Sequence, residues 1–106
     1  MLVYPVRADG LGEPQEFCRT EPGFPDGMCF DVEGRLYLAA TVAQEVQVFD
    51  SAGRCVDRLP CGAGSMLTNC CFGGPGGRSL FVTDARNERV LAFDLDVAGL
   101  PLFPFR

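Results

Sequence analysis

Histidine and lysine are both absent from this chain of 106 residues. Without lysine, a Schiff base and a Walker-type phosphate loop are both excluded. Without histidine, a general base has to be a carboxylate, a thiolate or a metal-bound hydroxide. Any catalysis is therefore carboxylate chemistry or metal chemistry on oxygen ligands. No C-x-x-C pair occurs either, which, with histidine missing, argues against a structural zinc site. Long apolar runs are lacking too: no stretch approaches the roughly 18 residues that would span a bilayer. The opening "MLVYPVRADG" has neither the charged region nor the apolar core of a signal peptide. The expectation is a soluble cytoplasmic protein with no membrane partner. Positive charge is scarce as well. The nine cations are all arginine and scattered, the net charge is −5 and the isoelectric point is about 4.5. Nothing here suits a phosphate backbone, so nucleic acid is not an expected partner.

Six cysteines are present: Cys18, Cys29, Cys55, Cys61, Cys70 and Cys71. With no secretion signal they read as reduced, small core residues. Adjacent strand residues point to opposite faces, so of Cys70 and Cys71 one faces inward, in preference to a strained vicinal disulfide. At 47% hydrophobic and 22% charged, the chain is globular and long enough for one domain with a real core.

Short β-rich runs recur between turn signals. "RLYLAA" (35–40), "EVQVFD" (45–50), "CVDRLP" (55–60), "SLFVTD" (79–84) and "RVLAFD" (89–94) have strand length and strand composition. "DVEG", "DSAG", "GGPGG" and "DLDVAG" between them are turn chemistry. No window holds a helical period, so the chain is all-β. The runs also repeat: Phe30 precedes Phe72 by 42 residues, while Tyr37 precedes Phe81 and Phe49 precedes Phe93 by 44. A period near 43 with four strands per unit is that of antiparallel β-propeller blades. The chain divides into a half-blade hairpin over 1–22, a full blade over 23–62 and a further blade over 63–106, about two and a half blades in all. Closed propellers need roughly four to eight. The unmet blade faces lead to the expectation of a homo-oligomer, a dimer or trimer, that closes a ring.

"GFPDGMCFDVEGRLYLAA", "VQVFDSAGR", "LTNCCFGGPGGRSLFVTDAR" and "VLAFDLDVAGLPL", in this order, resemble the C-terminal portion of the senescence-marker-protein/gluconolactonase/luciferin-regenerating family. The resemblance implies a six-bladed propeller whose channel holds one divalent metal, often calcium, and which hydrolyses sugar lactones or related esters. It further implies that the aspartate of the "PDG" motif, Asp26 here, is a metal ligand and a candidate catalytic base. The family's other ligands, a glutamate and asparagines from earlier blades, have no counterpart in this chain. The functional expectation is thus a lactonase-like hydrolase fragment that works only if a complete site is assembled. The alternative is a non-catalytic blade module whose edges mediate self-association or partner binding.

From the residues alone, Pro25-Asp26-Gly27 fits a type I turn with proline at its second position. Asn69 stands at the entrance of the next blade's first strand, where it lines the channel mouth or bonds its own backbone as a turn residue. Asp84, Arg86 and Asn87 follow a strand and are either channel-lining or part of a solvated turn. The glycines of 73–77 lack the Lys-Ser/Thr of a phosphate loop and read as a wide hairpin connection. Phe30, Tyr37, Phe49, Phe72, Phe81 and Phe93 are expected between blades. Arg54 and Arg58, near Asp50 and Asp57, read as surface charges.

Overall fold

The computed structural model describes residues 1–103. Proline shapes its first part. Four two-residue strands, β1 (Leu2–Val3), β2 (Val6–Arg7), β3 (Gly10–Leu11) and β4 (Gln15–Glu16), form two nested antiparallel ladders, β1 on β4 and β2 on β3. Pro5 and Pro14 have no N–H to give a ladder and separate the two. The Gly12 N–H still reaches the Pro5 carbonyl at 2.7 Å, so the arms stay together. The single hairpin expected from the sequence is in fact an interrupted one, with the two ladders offset by one residue.

A four-stranded antiparallel meander follows: β5 (Pro25–Phe30), β6 (Leu36–Ala40), β7 (Glu45–Phe49) and β8 (Cys55–Pro60). The "PDG" triplet opens β5 and is not the turn its composition suggests. Two of the real turns share one device. The Asp31 Oδ1 accepts the N–H of Glu33 and Arg35, both at 2.9 Å, and its Oδ2 accepts Arg35 Nε at 2.7 Å. Asp50 repeats this with Ala52 N–H (2.9 Å), Arg54 N–H (3.0 Å) and Arg54 Nε (2.9 Å). In each the glycine before the arginine, Gly34 or Gly53, sits at a positive φ that costs glycine nothing. Arg54 and Arg58 are exposed charges, as expected; Arg54 clamps the Asp50 turn, and the Arg58 guanidinium pairs with Glu45, not with Asp57.

The second sheet has three strands, β9 (Leu67–Gly73), β10 (Ser79–Asp84) and β11 (Arg89–Asp94), in the order β9-β10-β11. The glycine-rich connection between β9 and β10 holds one 3-10 turn, Pro75–Gly77. After β11 the chain returns to the first sheet: Val32 N–H bonds the Ala98 carbonyl at 3.0 Å and Leu100 N–H the Phe30 carbonyl at 2.8 Å. The end of the apolar tail, 104–106, lies outside the described residues. Among the described residues no helix is long and apolar enough to cross a membrane.

Alternation decides what each face of the first sheet meets. Tyr37, Ala39, Val46 and Val48 pack with Leu67, Cys70, Leu80 and Val82 of the second sheet. Leu36, Leu38 and Phe49 point the other way and pack with Cys18, Met1 and Phe17 of the N-terminal segment. Both faces of β6 and β7 are thereby covered, each large apolar side chain contributing about 1.5–3 kcal/mol of transfer free energy. Gln47 is buried among them because its amide is occupied. It donates to the Pro22 carbonyl (3.0 Å) and to Glu45 (2.9 Å), and it accepts Glu21 N–H (3.2 Å).

Of the six aromatics expected between blades, Tyr37 and Phe49 are buried, and Phe72 and Phe93 pack against the core. The Phe72 ring meets Tyr37 edge-on, centroids 5.0 Å apart. Phe30 departs from the expectation. It is 42% exposed and lines a groove beside the N-terminal hairpin, because β5 is an edge strand with no sheet on that side. Phe81 is only half-buried, and Val90, on the neighbouring strand, is 62% exposed. The second sheet thus has an uncovered face where the first sheet has a covered one.

Candidate functional site

The first strands of the two sheets, β5 and β9, lie side by side, and glycine makes this approach available. A Cβ added at Gly27 would stand 1.9 Å from the Asn69 Oδ1 and 2.6 Å from its Cα. Any side chain at position 27 has to push β9 away. The same closeness sets Asp26 and Asn69 on adjoining strands near their starts.

Each of these strands bulges at that point. Along β5 the register passes from Pro25 opposite Ala40 to Met28 opposite Leu38, one residue too many on β5. Along β9 it passes from Leu67 opposite Asp84 to Asn69 opposite Thr83, again one too many on the first strand. Bulges re-aim side chains and terminate pairing. Asp26 in the first bulge is exposed, and so is Asn69 beside the second. The amide oxygen of Asn69 accepts the N–H of Cys70 at 2.9 Å. Thr68, in the second bulge, shares a hydrogen bond of 2.7 Å with the Thr83 hydroxyl. Sequence reasoning passed over Thr68, although the 42-residue offset from Phe30 to Phe72 sets it at the place of Asp26.

Asp84 occupies a different environment from Asp26 and Asn69. It ends β10 at 1% exposure, and its oxygens accept from Met66 N–H (3.0 Å), Asn87 Nδ2 (2.7 Å) and Arg89 Nε (2.9 Å). Burial by itself pushes its pKa up. The hydrogen bonds from Asn87, Met66 and Arg89 outweigh that and hold the carboxyl well below the usual carboxylate range. Asp84 is thus a buried clamp, not a solvent-facing group. Asn87 lies in the exposed turn before β11 and spends its amide N–H on that clamp. The strand-end aspartate followed by asparagine and arginine was the available signal.

Calcium takes six to eight oxygen ligands, and fewer donors hold it poorly. Among the described residues no three histidine, cysteine, aspartate or glutamate side chains group so as to hold a metal. Asp26 and Asn69 are two oxygen donors, one already engaged with the backbone. The donor set of this chain does not fit a hard cation by itself.

The family profile described as "SMP-30/Gluconolactonase/LRE-like region" matches residues 1–86. The chain is similar to regucalcin of Danio rerio, 33% identical over 85 residues, which are 77% of this chain and 28% of that protein. It is similar to gluconolactonase of Zymomonas mobilis, 35% identical over 65 residues, 61% of this chain and 17% of that one. A solved gluconolactonase from Xanthomonas campestris superposes with a TM-score of 0.68 at 29% identity, covering 78% of this chain and 26% of its own. The chain therefore spans less than a third of the length of these three relatives. By the match over most of its residues, and by two stacked antiparallel blades with a hairpin against them, it belongs to the SMP-30/gluconolactonase/LRE-like family.

Proposed function

We propose that this chain forms part of the channel wall of a lactonase-type propeller, with Asp26 as the carboxylate presented to substrate. The observation that carries the reading is the placement of Asp26. It is an exposed aspartate on a bulge of a first strand, beside the exposed Asn69 of the next blade's first strand. The substrate class is a sugar lactone or related ester. The chemistry assigned to this chain is removal of a proton from the water that attacks the ester carbonyl, with Asp26 as base. The oxygen donors that calcium requires beyond Asp26 and Asn69 would come from further blades. Further copies of the chain, as a dimer or trimer, are one source of such blades.

The uncovered face bearing Phe81 and Val90 favours a second reading, in which the blades serve association without catalysis. Light scattering with and without millimolar calcium, followed by a lactone hydrolysis assay on the resulting species, separates the two. A discrete oligomer that hydrolyses lactone supports the first. An inactive oligomer indifferent to calcium supports the second. An inactive monomer sinks the first reading for the isolated chain.

A further inference from the structure

Two thiols meet where the blades meet. The Cys29 Sγ–H donates to the Cys70 Sγ across 3.7 Å, from β5 to β9, between residues 41 positions apart. Cys70 is buried, with the Tyr37 carbonyl 3.6 Å and the Gly27 carbonyl 3.9 Å from its sulfur. Cys29 is half-buried. Both border a groove of about 320 Å³ between the two strands, which Met28, Asn69 and Cys71 also line. The sulfurs have to come about 1.7 Å closer than 3.7 Å to reach the bond length of a disulfide. The groove admits a molecule the size of a peroxide.

We propose that Cys29 and Cys70 are an oxidation site for hydrogen peroxide, converted by it to a disulfide that staples the two blades together. The Cys70 thiolate attacks one peroxide oxygen. An S–O bond forms, the O–O bond breaks, and the hydroxide that leaves takes up the proton Cys70 gave on ionising. The Cys29 sulfur then attacks the sulfenic sulfur. The S–S bond forms, the S–O bond breaks, and a second water leaves with the Cys29 proton. Two thiols lose two electrons in all, and one peroxide becomes two waters. The order of attack follows from the hydrogen bond. In it the Cys29 S–H is the donor and the Cys70 sulfur the acceptor, so Cys70 is the sulfur that attacks first and Cys29 the thiol that resolves.

The staple would act on the candidate site. Cys70 directly follows Asn69, and Cys29 comes two residues after Gly27, so the cross-link fixes the separation of the strands that present Asn69 and Asp26. Because it closes a loop of about 40 residues, it should also stabilise the fold.

The test uses a chain in which the exposed thiols are removed, Cys55→Ser with Cys71→Ser, treated with one equivalent of hydrogen peroxide. Two thiols should disappear. Tryptic peptides 20–35 and 59–78 should run joined until reduced, with fragment ions assigning the bond to Cys70 rather than Cys61. The melting temperature should rise by roughly 10 °C and return on reduction. Adding Cys29→Ser, which keeps a donor beside Cys70 but cannot form the bond, should abolish the link and leave a sulfenic acid that fragment ions locate as one oxygen added at Cys70. The same joined peptides should appear in the unmodified chain, which covers failure of a variant to fold. Unjoined peptides, a bond to Cys61, or only intermolecular cross-links would overturn the assignment.

Discussion

Arg89 holds the Asp84 carboxylate and the Cys61 carbonyl at once. Its Nε lies 2.9 Å from the Asp84 Oδ2 and its Nη2 lies 2.9 Å from the Cys61 oxygen. One guanidinium therefore ties the end of the second sheet's hairpin to the connection that leaves the first sheet. Asp84 needs its charge for this, and its folded-state pKa is depressed. A depressed carboxylate contributes stability above its unfolded pKa, about 3.9, and loses that contribution as pH falls through the folded value. Thermal unfolding followed from pH 7 to pH 2 should show stability falling below about pH 4. Asp84→Asn should flatten that acid limb and lower the melting temperature at pH 7 by roughly 5–10 °C. An unchanged acid limb would remove Asp84 from this role.

The two Asp-to-Arg turn clamps offer a comparison at constant geometry. Asp31 is completely buried and also accepts the Tyr37 hydroxyl at 3.2 Å, whereas the Asp50 and Arg54 side chains are partly or largely in solvent. Removing one member of a buried, multiply bonded pair strands its partners, while exposed pairs contribute little. Asp31→Ala should cost about 2–4 kcal/mol in a urea titration, and Asp50→Ala clearly less. Equal losses would mean that the turn conformation, not burial, sets the energy.

Gly27 is where β5 meets β9, and an alanine there meets the Asn69 side chain and also its Cα at 2.6 Å, a backbone atom that cannot turn aside. Gly27→Ala should destabilise by about 1–3 kcal/mol, as overpacking does. It should also expose Cys70 to thiol reagents, because Cys70 is buried against the strand that has to move. A neutral substitution with Cys70 still protected would show that β5 and β9 are not held at this distance.

How far the sequence reveals all this depends on what kind of information each feature needs. Strand positions follow from composition and turn residues, and 55–60, 79–84 and 89–94 were legible to the residue. The repeat was legible because Tyr37 and Phe81 occupy the same place in successive blades. Pro25-Asp26-Gly27 misleads because proline and glycine mark turns and bulges alike, and only the register against β6 separates the two. Asp84 resisted for another reason. Its burial depends on Met66 and Arg89 arriving from opposite sides, and no local pattern states that. The pairing of Cys29 with Cys70 is of the same kind, since it exists only once the blades stack.

Asp26 itself should be dispensable for folding and indispensable for any hydrolysis. Among the described residues its side chain takes part in no hydrogen bond or ion pair, and it is exposed. Surface changes of this sort usually alter stability by no more than about 0.5 kcal/mol. If Asp26 is the base of a lactonase-type site, Asp26→Ala in whatever assembly proves active should cut kcat by about 100- to 10,000-fold while the melting temperature without metal stays put. Calcium binding only the folded form at 100 times its dissociation constant adds about 2.7 kcal/mol, and that increment should vanish with the carboxylate. Calorimetry of both forms, with calcium and with chelator, reads the two effects separately. A variant that keeps both the activity and the calcium increment would leave Asp26 as the residue that shapes a bulge, and the search for the base would move to the other blades.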